Sequence, residues 1–228
     1  DLIHIFKYIM ENTSEQYYNS NTKTMNLSGV IPKNTGEFKL SIPTDCECLH
    51  LDNNGLKQLS NNLPAGLKVL SASGNKIESI PELPEGITHL ILSNNKISKV
   101  ENIPKTCIYL DMRYNKVSSI DTSDSNLKTV KLNFNSLKSF KENTLPNTLE
   151  HLEVTNNNLF DVKNLPDSVK LLNLSNNSIN KVTNLPKNLE KLVLINNKIL
   201  SLDNVTYPDK LSEIEIEYNY LEKIPNNL

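Results

Sequence analysis

Apolar positions recur along most of this chain in one fixed order: apolar-x-x-apolar-x-apolar-x-x-Asn-x-apolar-x-x-apolar, beginning at Cys46. Nine registered copies place asparagine at Asn54, Asn75, Asn95, Asn115, Asn135, Asn157, Asn177, Asn197 and Asn219, with gaps of 21, 20, 20, 20, 22, 20, 20 and 22 residues. The third copy, from Ile87 to Val100, stands for all. Leu90 and Leu92 are two apart, so they share one face of a short strand and are expected in the core. Ile91 between them then faces out. One such strand cannot bury its own apolar face, so neighbouring coils must stack to close a core. The repeating asparagine falls where the chain turns. Its amide can bond backbone groups of adjacent coils that an apolar residue would leave unsatisfied. Ordinary surface-turn asparagines would not be locked to the leucine spacing.

A second motif, Leu-Pro-x-x-apolar, joins the copies at Leu63-Pro64, Leu83-Pro84, Leu145-Pro146, Leu165-Pro166 and Leu185-Pro186, with variants at Ile42-Pro43, Ile103-Pro104 and Tyr207-Pro208. Proline fixes φ and disfavours helix just before it. A linker of about six residues also has no room for a helix of several turns. The outer side of each coil is therefore expected to be extended. A period of roughly 20 to 29 residues on a Leu/Asn framework marks a leucine-rich repeat solenoid. The predicted fold is of the α/β horseshoe class, with a parallel β-sheet on the concave face, an extended, polyproline-like convex side and an N-terminal helical cap. Residues 121–126 lack the proline motif, so one coil is expected to be irregular.

Residues 1–19 read as an amphipathic helix, with Leu2, Ile5, Phe6, Ile9 and Met10 at i, i+3, i+4 spacing and Tyr17 extending the stripe. Its potentially basic residues are only His4 and Lys7, whereas interfacial membrane helices are usually rich in lysine and arginine. A cap over the open end of the first coil fits better. The expected organisation is a helical cap and lead-in over 1–44, with Met25-Asn26-Leu27 as a degenerate edge strand, and a solenoid of nine repeats over 45–228. The final Asn226-Asn227-Leu228 repeats the register of Asn61-Asn62-Leu63, inside a linker. Either more repeats or another domain are expected beyond it, or the chain has been trimmed. It opens on Asp1, so any signal peptide or initiator is expected to lie outside it.

Composition narrows the function. The formal net charge is -2 over 228 residues, too weak a field to point to nucleic acid or an acidic membrane. No apolar run reaches about 18 residues, so membrane insertion is not expected. Apolar residues are only 37%, as suits an elongated stack with much surface. Sequons at Asn12, Asn26, Asn173, Asn176 and Asn204 are no more than this asparagine content yields by chance. Cys46 and Cys107 hold the first apolar position of their repeats and read as small core residues. Cys46 and Cys48 are too close along a strand to pair readily. The chain shows none of the disulfide-rich caps usual in extracellular solenoids, which favours a reducing compartment.

The Leu-Pro-x-x-Leu linkers, the 20-residue period and stretches such as Asn184-Leu185-Pro186-Lys187-Asn188-Leu189 resemble the bacterial LPX effector family of YopM-type and IpaH-type repeat domains. The resemblance covers residues 43–228; the first residues match that family's helical hairpin only loosely, and its usual tryptophan positions have none here. It implies secretion by the source cell, action in the cytosol of a eukaryotic host, virulence as the setting, and binding of a host signalling protein. A cytoplasmic protein of its own cell is the alternative location. IpaH-type members carry a separate catalytic domain with an active cysteine, and these 228 residues contain none.

Chemistry is sparse. No phosphate loop, zinc spacing or nucleophile elbow occurs, so no enzyme, metal or cofactor is expected. His89 and His151, three coils apart, should sit ~14 Å from one another, too far to share a metal. The informative residues are those expected on the concave face. One patch comprises Ile91, Tyr109 and Arg113, with Tyr114 and Phe134 beside them. The last two either join the contact surface or pack as a spine between coils. A second patch runs from Leu171, Val193 and Ile195 to Glu213, Glu215 and Glu217. Apolar side chains beside an acidic edge suit a partner with a basic, partly apolar surface, unless the glutamates are merely a solvated strand face. The expected function is protein–protein recognition. The rivals are the substrate-recognition part of an IpaH-type ubiquitin ligase, and an extracellular receptor or adhesin. Reducing agent should leave the melting temperature unchanged, since no stabilising disulfide is expected; a large drop would point to an oxidising home.

Overall fold

The computed structural model describes residues 14–31, 41–203 and 205–222. Each coil supplies one three-residue strand, from Cys48–His50 in coil 1 through Val69–Ser71, His89–Ile91 and Tyr109–Asp111 to Glu213–Glu215 in coil 9. The strands pair in parallel and in coil order. Register sets each repeat position opposite its equivalent, as Leu70 with Leu90 and Leu90 with Leu110. Parallel neighbours need a crossover of about a dozen residues or more, and the rest of each repeat supplies it. Thr24–Asn26 adds one more parallel strand before coil 1, and Tyr18–Asn19 closes that edge antiparallel, giving an 11-stranded sheet.

The predicted N-terminal helical cap is not what the described residues form. Their helix is one turn, Ser14–Tyr17, and the chain is already strand at Tyr18–Asn19. Asn19 ends it by accepting bonds from the Asn21 and Thr22 N–H groups, at 3.0 and 3.2 Å. Strand pairing of Tyr18 with Met25 overrides the helical spacing that Tyr17 continued. The stripe from Leu2 to Met10 lies outside the described residues.

The outer side is extended. In eight coils the proline carbonyl accepts a bond from the N–H three residues on, as Pro64 from Leu67 at 3.1 Å and Pro186 from Leu189 at 3.1 Å. The irregular coil over 121–126 closes its turn differently. Buried Thr122 accepts from the Ser125 N–H at 3.0 Å and from the Ser125 hydroxyl at 2.7 Å. Short parallel pairs, Lys99–Val100 with Ser119–Ile120 and Asp161–Val162 with Lys181–Val182, tie coils together on the flank past the asparagine.

Inside, Ile87, Leu90, Leu92 and Ile97 are all 0% exposed, and most other coils repeat that burial. Through this core edge runs a file of asparagines. Asn135 is typical. Its Oδ1 accepts from the Val117 N–H of the previous coil at 2.8 Å. Its Nδ2 donates to the Met112 carbonyl of that coil at 2.9 Å and to its own coil's Leu132 carbonyl at 3.0 Å. Asn54, Asn75, Asn95, Asn115, Asn177, Asn197 and Asn219 make the same two-coil clasp, and Asn157 keeps its inter-coil part.

The residue just before each of these asparagines has positive φ in all nine coils, from 54° to 67°. Six are Asn or Gly, the types that tolerate the left-handed region. At Gly74 there is a second reason: a Cβ would collide with the Asn53 side chain. The other three are Tyr114, Phe134 and Tyr218, for which this backbone costs about 1–2 kcal/mol each.

Asn135→Ala should strand two carbonyls and an N–H and lower stability by roughly 3 kcal/mol. Leu132→Ala and Leu174→Ala should each cost ~2–5 kcal/mol, while exposed Ser136→Ala stays within ~0.5 kcal/mol. Denaturant melts decide, and wild-type curves for all four would remove both the ladder and the core.

Candidate functional site

Strand alternation aims the third, fifth and seventh residues of each repeat at the concave wall. Many of the polar groups there satisfy one another. Asp52 Oδ1 accepts from the Ser71 hydroxyl at 2.7 Å and the Ser73 N–H at 2.6 Å. The Ser93 hydroxyl donates to Ser73 at 3.0 Å. Lys131 lies 3.3 Å from Glu153, which also accepts from Asn133 at 3.0 Å. This mutual bonding leaves the apolar and aromatic side chains as the part of the wall not engaged with its neighbours.

Only part of the first predicted patch is brought together on the wall, Ile91, Tyr109 and Arg113, while Tyr114 and Phe134 sit at the turn past the strand. Register sets Tyr109 beside His89, with rings 5.7 Å apart and inclined by 27°, and sets Asp111 beside Ile91. Arg113 shares the strand face of Asp111 and grips it bidentately, at 2.9 Å from Nε and 2.6 Å from Nη2. Asp111 is thereby only 2% exposed although its position faces outward. Bonding to Asp111 pushes the Arg113 pKa up. Tyr114 and Phe134 stack at 4.3 Å and 7°, and they do so in the open, at 53% and 43% exposure. His89 and Asp111 are the members that sequence reasoning did not single out. The i, i+2 spacing of Asp111 and Arg113 was the available signal.

The second patch is divided. Leu171 and Ile195 are half-buried on the wall, but Val193 is 5% exposed and offers little surface. Lys191 lies between Leu171 and Glu213 in the register and bonds Glu213 at 2.7 Å and Glu215 at 2.6 Å. The acidic edge is thus part-neutralised, and Lys191 pulls the Glu213 pKa down. Glu217 stands exposed beyond it.

Along the neighbouring second-position row, Glu47 is bridged by Lys23 at 2.7 Å and Lys68 at 2.5 Å, which hold its carboxyl at about 2. All three cysteines are free thiols. Burial pushes Cys107 up to about 11, and Cys48 Sγ sits 3.3 Å from His50 Nε2. Among the described residues, no group of three His, Cys, Asp or Glu is placed to hold a metal, and no helix is long and apolar enough to cross a membrane.

No protein-family model and no curated protein matches this chain. Solved structures do. The leucine-rich repeat domain of APL1B superposes with a TM-score of 0.69 at 18% identity, over 96% of this chain and 74% of that one. The chain has the leucine-rich repeat fold. YopM from Yersinia enterocolitica matches this repeat protein at 26% identity with a TM-score of 0.58, over 79% of this chain and 45% of that one. The functional domain of InlJ from Listeria monocytogenes matches at 20% identity and 0.61, over 82% and 43%. The repeat protein thus spans less than half the length of these two bacterial structures. Their fold is consistent with a protein-interaction module.

Arg113→Ala should lower the repeat protein's stability by about 2 kcal/mol, because it leaves the Asp111 carboxylate buried with only backbone help. Adding Asp111→Ala should return most of that loss. A double-mutant cycle by thermal denaturation checks this, and additive effects would mean the pair is not coupled.

Proposed function

We propose that this repeat protein recognises another protein on its concave wall, as a secreted bacterial-type effector or the repeat domain of one, and performs no catalytic step itself. The observation that carries the reading is the contrast on that wall. The polar groups bond one another, whereas Ile91, Tyr109, Leu171 and Ile195 keep exposed apolar surface with no neighbour's polar group to serve. Tyrosine and arginine are frequent interface anchors, and Tyr109 and Arg113 flank Asp111 on the outward face of coil 4. The similarity to YopM supports the effector class and, with it, a host signalling protein as partner in the host cytosol. Three free thiols suit such a reducing compartment.

Capture from host-cell cytosol with mass spectrometry tests this. The concave variants are Tyr109→Ala with Ile91→Ser, and Leu171→Ser with Ile195→Ser. Arg113 is changed only together with Asp111, so that no buried charge is left alone. Anchor loss typically costs ~2 kcal/mol, about thirtyfold in affinity. At least one concave variant should release the captured partner while keeping a near wild-type melting curve. Lys105→Ala and Lys187→Ala on the linkers should not. Release by the linker variants alone would place the partner on another surface.

A further inference from the structure

The turn that follows each concave strand carries a second surface, distinct from the wall. At the positive-φ position, six of nine coils use Asn or Gly and coil 9 uses Tyr218, while the adjacent coils 4 and 5 use the stacked pair Tyr114 and Phe134. Bulky side chains are disfavoured in that backbone, and these two are also among the most exposed large hydrophobics of the chain. Neither core packing nor turn geometry asks for them. Strain kept at exposed aromatic positions points to a use outside the fold.

Charge says what the use is. Two residues after this position, coils 2, 3 and 4 carry Lys76, Lys96 and Lys116, all exposed. Lys57, Lys99 and Lys138 continue the same flank, where Glu78 and Glu101 are the acidic residues among them. Among the described residues none of these six lysines is in an ion pair, whereas Lys131, Lys191 and Arg113 on the wall are all neutralised. An apolar ledge thus borders a file of free cations.

We infer that the Tyr114–Phe134 ledge and this lysine flank form a docking strip for an extended acidic segment of another protein bearing an aromatic or large aliphatic side chain. The inference rests on reading the chain as a protein-recognition module, and it deepens that reading by naming the partner's chemistry. A single-stranded nucleic acid is the weaker occupant. Each ring already covers the inner face of the other at 4.3 Å, so stacking faces for successive bases are not on offer. What remains outward is ring edge and outer face, which suit a side chain laid across them.

Fluorescence anisotropy with a labelled peptide of alternating Glu and Ser around a central Phe is the test. The comparison probes are the same peptide with Lys for Glu, the same with Ala for Phe, and oligo-dT. The Glu/Phe peptide should bind about tenfold or more tighter than either peptide control, and should weaken as salt rises from about 50 to 300 mM. Tyr114→Asn with Phe134→Asn, and separately Lys96→Ser with Lys116→Ser, should each lose about tenfold. The Asn pair should also leave the melting temperature unchanged or raise it by about 2–4 °C, because Asn suits that backbone. A clear fall in melting temperature would make the rings structural and overturn the proposal. So would absent binding, equal binding of the Lys peptide, tighter binding of oligo-dT, or indifference to both variant pairs. If the acidic peptide fails while the Tyr109 variant still releases its captured partner, concave recognition stands and only this strip falls.

Discussion

A buried or half-buried carboxamide at each turn, with one acceptor and two donor hydrogens, sets the terms for the whole molecule. It must meet an N–H and a carbonyl of the previous coil and, in most coils, a carbonyl of its own. Those three demands fix the vertical offset between coils to the spacing of a parallel sheet. They fix the residue three before the asparagine as one whose carbonyl faces the amide, at a position that is apolar in every coil. They also require the chain to arrive through a left-handed step, which is why the preceding residue has positive φ in every coil. Unsatisfied, the same groups would sit in a core that water does not reach. Repeat length can then vary by a residue or two only on the outer linkers, where the gaps of 21 and 22 are absorbed.

The concave wall follows a different economy of contacts. Its polar residues are matched across strands into short networks, Asp52 with Ser71 and Ser73, Lys131 with Glu153 and Asn133, Lys191 with Glu213 and Glu215. Surface pairs of this kind add little stability. Their effect is on the surface displayed: most charges of the wall are answered, and its apolar side chains are not. The flank beyond the asparagines is the reverse, with unanswered lysines beside two stacked rings. Two faces of one solenoid therefore present opposite chemistry within a few residues of each other.

Much of this was legible in the sequence because the repeat spacing is a geometric statement. Leu132 and Leu174 could be placed in the core, and Asn135 in the ladder, from register alone. Position within a repeat does not, however, fix exposure on the wall. Asp111 and Val193 occupy outward positions and are buried, since Arg113 bends back over the one and neighbouring strands hem in the other. Such cover depends on how far the next side chain reaches, which no periodicity records. Nor did amphipathic spacing foresee that Tyr18 would leave the helical path to pair with Met25. The stacking of Tyr114 on Phe134 was foreseeable from their 20-residue separation; their exposure was not.

Because each asparagine speaks only to its own coil and the one before, the clasp is a sentence that can be repeated or cut at any full stop. Removing one whole 20-residue unit from the middle would leave every remaining amide with the same kinds of partner, an N–H and two carbonyls, at the same offset. Recombination between coils can therefore lengthen, shorten or reorder the displayed side chains while the scaffold stays in register. The ladder that makes the molecule rigid also makes its surface a string of interchangeable tiles, open to rapid change of partner without relearning how to fold.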